Sequence, residues 1–257
     1  MPLLEKDYYL TLILSRAREL SEGLIFKGGT CLNKIYYAYY RLSEDLDFTG
    51  GSHFSRESLS TMGKVLSENL YEKYGLNIKV SEPTKEIKNV DTWKIKVETR
   101  PEQKHLPAQR INIDICAVPS YEKQPMLLLN PYGVDMGTSG LIIQAQSREE
   151  IYADKLLAFA LRPNRLKHRD LWDIVWLYQQ GLKPRVELIP HKLRDRNLNL
   201  EDFITQFNAR KELLKKDKKL SQEFNKEMRR FLSVEQENLW NFIIYLIDDL
   251  SKNLNLG

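Results

Sequence analysis

The feature that most constrains the fold is a change of hydrophobic period near residue 147. Before it, apolar residues recur at every second position. Ile95 and Val97 do so in the run 92–99, and Ile111, Ile113 and Ile115 in the run 110–118. A period of two marks strands that cover a core with one face. After Ser147 the period becomes helical, first over 149–161, stopped before Pro163, then over 170–180 with Gly181 at its end. Further helices are expected over 201–207, 222–232 and 234–250, and the lysine-dense run 215–219 is expected to be a loop or an exposed helix face. The expected class is α+β: a mixed sheet flanked by helices over residues 1–147, then an all-helical part over 148–257.

Within the first part, Leu10, Leu14 and Ala17 are at helical spacing, so a helix is expected over 7–22. A short apolar run, 24–26, leads into the small-residue turn Gly28-Gly29-Thr30. A helix over 31–40, an alternating strand over 45–49, a polar helix over 56–74 and a strand over 77–81 follow.

Composition removes several classes. Of 257 residues, 42% are hydrophobic and 29% charged, which excludes a disordered chain. Uninterrupted apolar runs are only a handful of residues long, whereas a membrane span needs about 20. The N-terminal stretch carries Glu5, Lys6 and Asp7 and has no small-residue cleavage site, so it reads as a helix rather than a signal peptide. A soluble, cytoplasmic protein is expected. Cys31 and Cys116 lie too far apart in sequence for a metal-binding pair, and the four histidines form no HExxH pattern, which argues against a zinc enzyme. The net charge is +4 but unevenly spread. Residues 1–150 hold 19 Lys/Arg against 20 Asp/Glu, and residues 151–257 hold 20 against 15. A polyanionic substrate and a solvated helical surface both fit that asymmetry.

The richest constellation lies in residues 26–48. Side chains two apart on a strand share a face, so Asp45 and Asp47 point the same way while Leu46 and Phe48 point into the core. Such a pair converges on a hard divalent cation, or else it is two solvated acids on an exposed strand. An EF-hand is excluded, because counting from Asp45 the twelfth residue is Arg56 rather than Glu. No GxxxxGK[ST] is present, so Gly28-Gly29-Thr30 is not a P-loop. The turn offers amides and a hydroxyl at a helix start, where either an anion or a simple Thr30 cap accounts for them. Asp114 stands on the polar face of a strand whose other face carries three isoleucines.

A glycine turn, a paired-acid strand and a later strand with one acid resemble, in that order, the polymerase-β-like nucleotidyltransferases. The segments KGGTCLNKIY, RLSEDLDF and YADKLLAFALRPNRLKHRDLWDIVWL are similar to the AbiEii/AbiGii toxin family of nucleotidyltransferases, and the likeness covers most of residues 20–180. The resemblance implies that Asp45, Asp47 and Asp114 bind two Mg²⁺ (or Mn²⁺) ions. It also implies that Gly28, Gly29 and Thr30 receive the triphosphate of an NTP. By the same likeness Lys155 contacts nucleotide, and either Asp170 or Asp173 is the acid of the last motif. It further implies transfer of a nucleoside monophosphate to an acceptor such as the 3′ end of tRNA, and a cognate antitoxin, in this family usually a winged-helix DNA-binding protein. Rival readings are a small-molecule or protein acceptor and a non-catalytic protein of the same fold.

Read from the residues themselves, Lys155 flanks the apolar face of its helix, where lysine is uncommon unless it snorkels. Capping alone would explain Asp170. Arg162, Arg165, Lys167, His168 and Arg169 form a cationic turn that is either solvated or in contact with triphosphate or RNA. Because three carboxylates and two divalent ions leave a charge of only about +1 against a triphosphate, Lys155 and this turn are expected to face the acids across a cleft.

Overall fold

The computed structural model describes residues 2–17, 23–38, 40–84, 90–98, 108–163, 165–232 and 239–254. The expected end of the first helix (18–22), the last residue of the 92–99 strand and the expected start of the 234–250 helix (234–238) lie outside these residues. Two compact units divide the chain, Met1–Gln146 and Ser147–Gly257.

The first unit is a mixed seven-stranded sheet with helices. Helix α1 (Pro2–Ala17) buries Leu10, Ile13 and Leu14. Strand β1 (Ile25–Lys27) runs straight into a four-residue helix α2 (Gly28–Cys31), which continues as a π-helical turn over Leu32–Tyr36 and ends there, short of the expected residue 40. After β2 (Leu46–Thr49), a 3-10 turn (Arg56–Leu59) and α3 (Met62–Tyr74) replace the single expected helix. Then come β3 (Ile78–Ser81), β4 (Val90–Val97), β5 (Gln109–Cys116), β6 (Lys123–Leu127) and β7 (Ile142–Gln146). The last two strands are not anticipated by the sequence pattern, because β6 is an exposed edge strand with a proline and no alternation of burial. The order across the sheet is β3-β4-β5-β2-β1-β7-β6, with β2–β5 and β1–β7 parallel and the other pairs antiparallel.

The alternation explains which face is which. Trp93, Ile95 and Val97 of β4, Ile111, Ile113 and Ile115 of β5, Leu46 and Phe48 of β2 and Phe26 of β1 are all buried. The Phe26 and Phe48 rings lie 5.2 Å apart. The residues between them carry the polar groups to the opposite face.

The second unit is helical among its described residues: α4 (Arg148–Leu161), α5 (His168–Gln179), α6 (Ile189–Arg194), α7 (Leu200–Lys216), α8 (Lys218–Met228) and α9 (Leu239–Asn253). Ser147 caps α4 by accepting the Glu150 backbone N–H at 3.1 Å. Gly181, at φ +74°, follows α5, a conformation that suits glycine. Helix α7 runs nine residues past the expected 207, since Asn199 caps its start and no breaker follows until Asp217. Asp217 in turn caps α8, so the 215–219 run is the joint between two helices. Phe159 of α4 and Phe207 of α7 meet at 4.9 Å and anchor the core. Among the described residues no helix is long and apolar enough to cross a membrane.

Candidate active site

Strand register puts the acids of the first unit side by side. Asp47 of β2 is the partner of Asp114 on parallel β5, and Asp114 is the partner of Thr92 on β4. Cross-strand partners project to the same face, so Asp47 and Asp114 share the polar face. The Thr92 hydroxyl donates to Asp114 Oδ1 at 2.7 Å. On the other side, Lys27 occupies the position opposite Asp47. A row of Lys27, Asp47, Asp114 and Thr92 thus crosses four adjacent strands. Lys27 and Thr92 escape a reading of the sequence because only pairing aligns them with the acids; the sole hint is that Lys27 directly precedes the glycine turn.

Asp45 stands one residue ahead of β2, and its Oδ1 accepts the backbone N–H of Asn112 at 3.2 Å. The carboxylate thereby extends the β2–β5 ladder. Burial pushes its pKa up, opposed by Lys6 and the Asn112 N–H and reinforced by Asp47 and Glu44. Since Asn112 holds Asp45 and Thr92 holds Asp114, the three carboxyl groups are neighbours without being drawn onto one point. Among the described residues no group of three His, Cys, Asp or Glu side chains is gathered as a metal site.

The turn beside them is tightly specified. Gly28 sits at φ +76°, and a Cβ there would lie 2.8 Å from Asp47 Oδ2. Only glycine satisfies both conditions, and its backbone approaches the Asp47 carboxylate closely. Gly29 and Thr30 are buried in α2. The Thr30 hydroxyl is held within the chain, hydrogen-bonded to Ser43 Oγ and donating to the Asp45 carbonyl at 2.5 Å. It therefore locks the 43–45 segment rather than capping α2, whose N-cap is Lys27 with no side-chain bond. Beneath the turn, Cys31 is fully buried; burial and then the nearby Asp47 charge raise its pKa well above the usual thiol range.

The residues expected in the second part form a different arrangement. Lys155 of α4 donates to Asp170 Oδ1 and sits 2.7 Å from both Asp170 Oδ1 and Asp173 Oδ2 of α5. Arg162 reaches Asp170 Oδ2 at 2.8 Å. Lys155 does not snorkel, and Asp170 does not cap; the two are halves of one buried network of two cations and two anions. Burial alone would raise the Asp170 pKa, but Lys155 and Arg162 outweigh it and hold the carboxyl below its usual value. Asp170 and Asp173 serve the same ammonium, which is why the sequence does not separate them. The rest of the cationic turn is also largely engaged. Arg169 lies 4.6 Å over the Phe231 ring and 3.9 Å from Glu227, and burial lowers the pKa of His168, whereas Arg165 is exposed. Helix α4 carries a second buried pair that sequence reading misses: Lys192, almost fully buried, meets Glu150 at 2.6 Å and Asp154 at 2.9 Å.

Residues 12–246 match the family described as nucleotidyl transferase AbiEii toxin, type IV TA system. The chain is thus a nucleotidyltransferase. More narrowly, it belongs to the AbiEii toxin family. No curated protein matches the chain. Among solved structures, an antigenic nucleotidyltransferase-like protein from Paracoccidioides brasiliensis is similar at 15% identity and a TM-score of 0.44, over 86% of this chain and 92% of that one.

Proposed function

We propose that this toxin nucleotidyltransferase transfers a nucleoside monophosphate from an NTP to an RNA acceptor, the 3′ end of tRNA, in a reaction that needs Mg²⁺ or Mn²⁺. The observation that carries the reading is the row of Asp47 and Asp114 beside the Gly28 turn, with Asp45 next to it. The donor set suits a hard divalent cation, since it is all oxygen, and the Gly28 backbone approaches Asp47 Oδ2 closely. Asp45, Asp47 and Asp114 are the residues that would hold such a cation, which when bound would supply charge against the triphosphate and ease deprotonation of the acceptor hydroxyl.

The chain does the rest by positioning. Gly28 and Gly29, with the Thr30 backbone, form the turn that receives the triphosphate, while the Thr30 hydroxyl fixes the segment that presents Asp45. The acceptor's 3′ oxygen bonds to the α-phosphorus and gives up its proton, and the bond from the α-phosphorus to the bridging oxygen breaks, releasing pyrophosphate. Lys155 contacts nucleotide phosphate, with Asp170 and Asp173 orienting its ammonium. On this reading residues 1–147 are the nucleotidyltransferase domain and 148–257 a helical domain. A cognate antitoxin restrains the enzyme in the cytoplasm, where NTPs and tRNA meet.

The test is to incubate the protein with each NTP, Mg²⁺ and total tRNA, and to look for labelled or extended RNA. Label in RNA that disappears with a chelator supports the reading. Label appearing only in protein or in a small molecule would replace the acceptor, and transfer surviving chelation would remove the metal.

A further inference from the structure

The polar face of the sheet carries a second feature, away from the acids. Lys79 of β3 is the register partner of Lys96 on β4, and Lys96 is the partner of Arg110 on β5. Three cations therefore stand in a line across three strands, over about 10 Å at ordinary strand spacing. Lys94 stands two residues along β4 on the same face. All four side chains are exposed. Like charges placed directly opposite one another destabilise a sheet, so this row works against folding. Lys79 meets Glu98 at 3.0 Å, with the lysine side chain 72% exposed, and a surface pair of that kind stabilises little. Lys94, Lys96 and Arg110 make no side-chain hydrogen bond or ion pair among the described residues. The opposite faces of these strands, through Ile95, Val97 and Ile111, are core, so the cations are held on a rigid support.

The position of the row suggests its use. Arg110 precedes Asp114 by four residues on β5, and Lys96 follows Thr92 by four on β4. At about 3.3 Å per residue Lys94 stands roughly 7 Å from the acid row, and Lys96 and Arg110 roughly 13 Å from it, along the same two strands. We infer that this face binds the phosphate backbone of the acceptor RNA as it leads to the acids. The inference rests on the RNA-acceptor reading above. It also reassigns the acceptor cations, since the 162–169 turn is largely engaged in its own ion pairs. Lys94, Lys96 and Arg110, without an ion pair among the described residues, come with no aromatic side chain at the exposed positions of β4 and β5, so they suit phosphates rather than bases or an apolar partner surface. The contact is sequence-independent.

The test replaces these three cations together: Lys94→Gln, Lys96→Gln and Arg110→Gln. Two measurements are made on wild type and variant, binding of a fluorescent single-stranded RNA oligonucleotide and nucleotide transfer to tRNA, each as a function of salt. The expected result is binding weakened by about tenfold or more, with the slope of log affinity against log salt flattened by about 2, at roughly 0.7 per lost phosphate contact. The KM for tRNA rises while NTP affinity holds, and Tm stays level or rises as the like charges go. Unchanged oligonucleotide binding and an unchanged salt slope would overturn the surface while leaving the RNA reading intact. So would a fall in Tm that accounts for the lost binding. If wild type binds RNA through these residues but never extends it, the surface stands and the acceptor reading fails.

Discussion

On the sheet, Asp45 is half-buried beside Asp47 and Glu44, and burial with those neighbours lifts its pKa. In the helical unit, Asp170 is buried more deeply and has Asp173 next to it, yet Lys155 and Arg162 bring its pKa down. Each place sets carboxylates close together. In the second, the protein supplies the counter-charge itself, as two cations for two anions. In the first, Thr92 donates a hydroxyl and Asn112 an amide, groups that orient a carboxylate without neutralising it, while the Lys6 charge offsets the burial of Asp45 only in part and Lys27 stands opposite Asp47. Carboxylates crowded together gain from an added cation, whereas a set matched charge for charge holds helices together. On the proposed function, the difference separates the acids assigned to chemistry from those assigned to positioning.

The largest effect that would break this contrast is expected at Asp47. Asp47→Asn should lower transfer by about a thousandfold or more, corresponding to several kcal/mol of lost charge stabilisation. The circular dichroism spectrum and Tm should stay in place. Near-normal turnover would make the sheet acids structural after all.

Next comes Asp170→Asn, which leaves Arg162 without its carboxylate and halves the charge around Lys155. Breaking a buried pair costs about 3–5 kcal/mol, read by denaturant unfolding at pH 7. The sign with pH follows from the lowered value. A carboxyl with a depressed folded pKa stabilises above its unfolded value of 3.8 and loses that contribution as pH falls through the folded one. The gap between variant and wild type should therefore close in acid. A gap that stays constant would mean that packing, not charge, holds the network.

Gly28→Ala should act at an intermediate level. The positive φ alone costs about 1–2 kcal/mol for a residue with a Cβ, and the added carbon meets Asp47 Oδ2. Thermal unfolding should register the strain, and Mg²⁺-dependent transfer should fall with it. A fully active, unstrained variant would show that the turn and Asp47 are not coupled.

The smallest effect, and the one that sharpens the contrast most, is at Asp45. Its folded pKa is raised, so the native state keeps its proton longer than the unfolded state. The penalty is absent below 3.8 and complete above the folded value. Metal-free Asp45→Asn should thus be slightly more stable than wild type at pH 7, and equal to it in acid. Destabilisation at pH 7 would show that the bond to the Asn112 N–H outweighs the burial of charge.

The period-two and helical stretches made the α+β layout readable before any coordinates, because burial on one face imposes its period directly on the residues. The acids at 45, 47 and 114 and the turn at 28–30 stood out as candidates by residue type and spacing alone. Strands β6 and β7 did not; for β6 the reason is that an exposed edge strand leaves no alternation. What only the tertiary structure decided is pairing. Register alone put Asp47 beside Asp114, Lys27 opposite Asp47, and Lys79, Lys96 and Arg110 in one line. Helix packing alone turned Lys155 from a lysine near an apolar face into the centre of a neutral network with Asp170, Asp173 and Arg162. Local sequence fixes which face a side chain takes; which charge it meets there depends on contacts between residues far apart in the chain, and no local period records them.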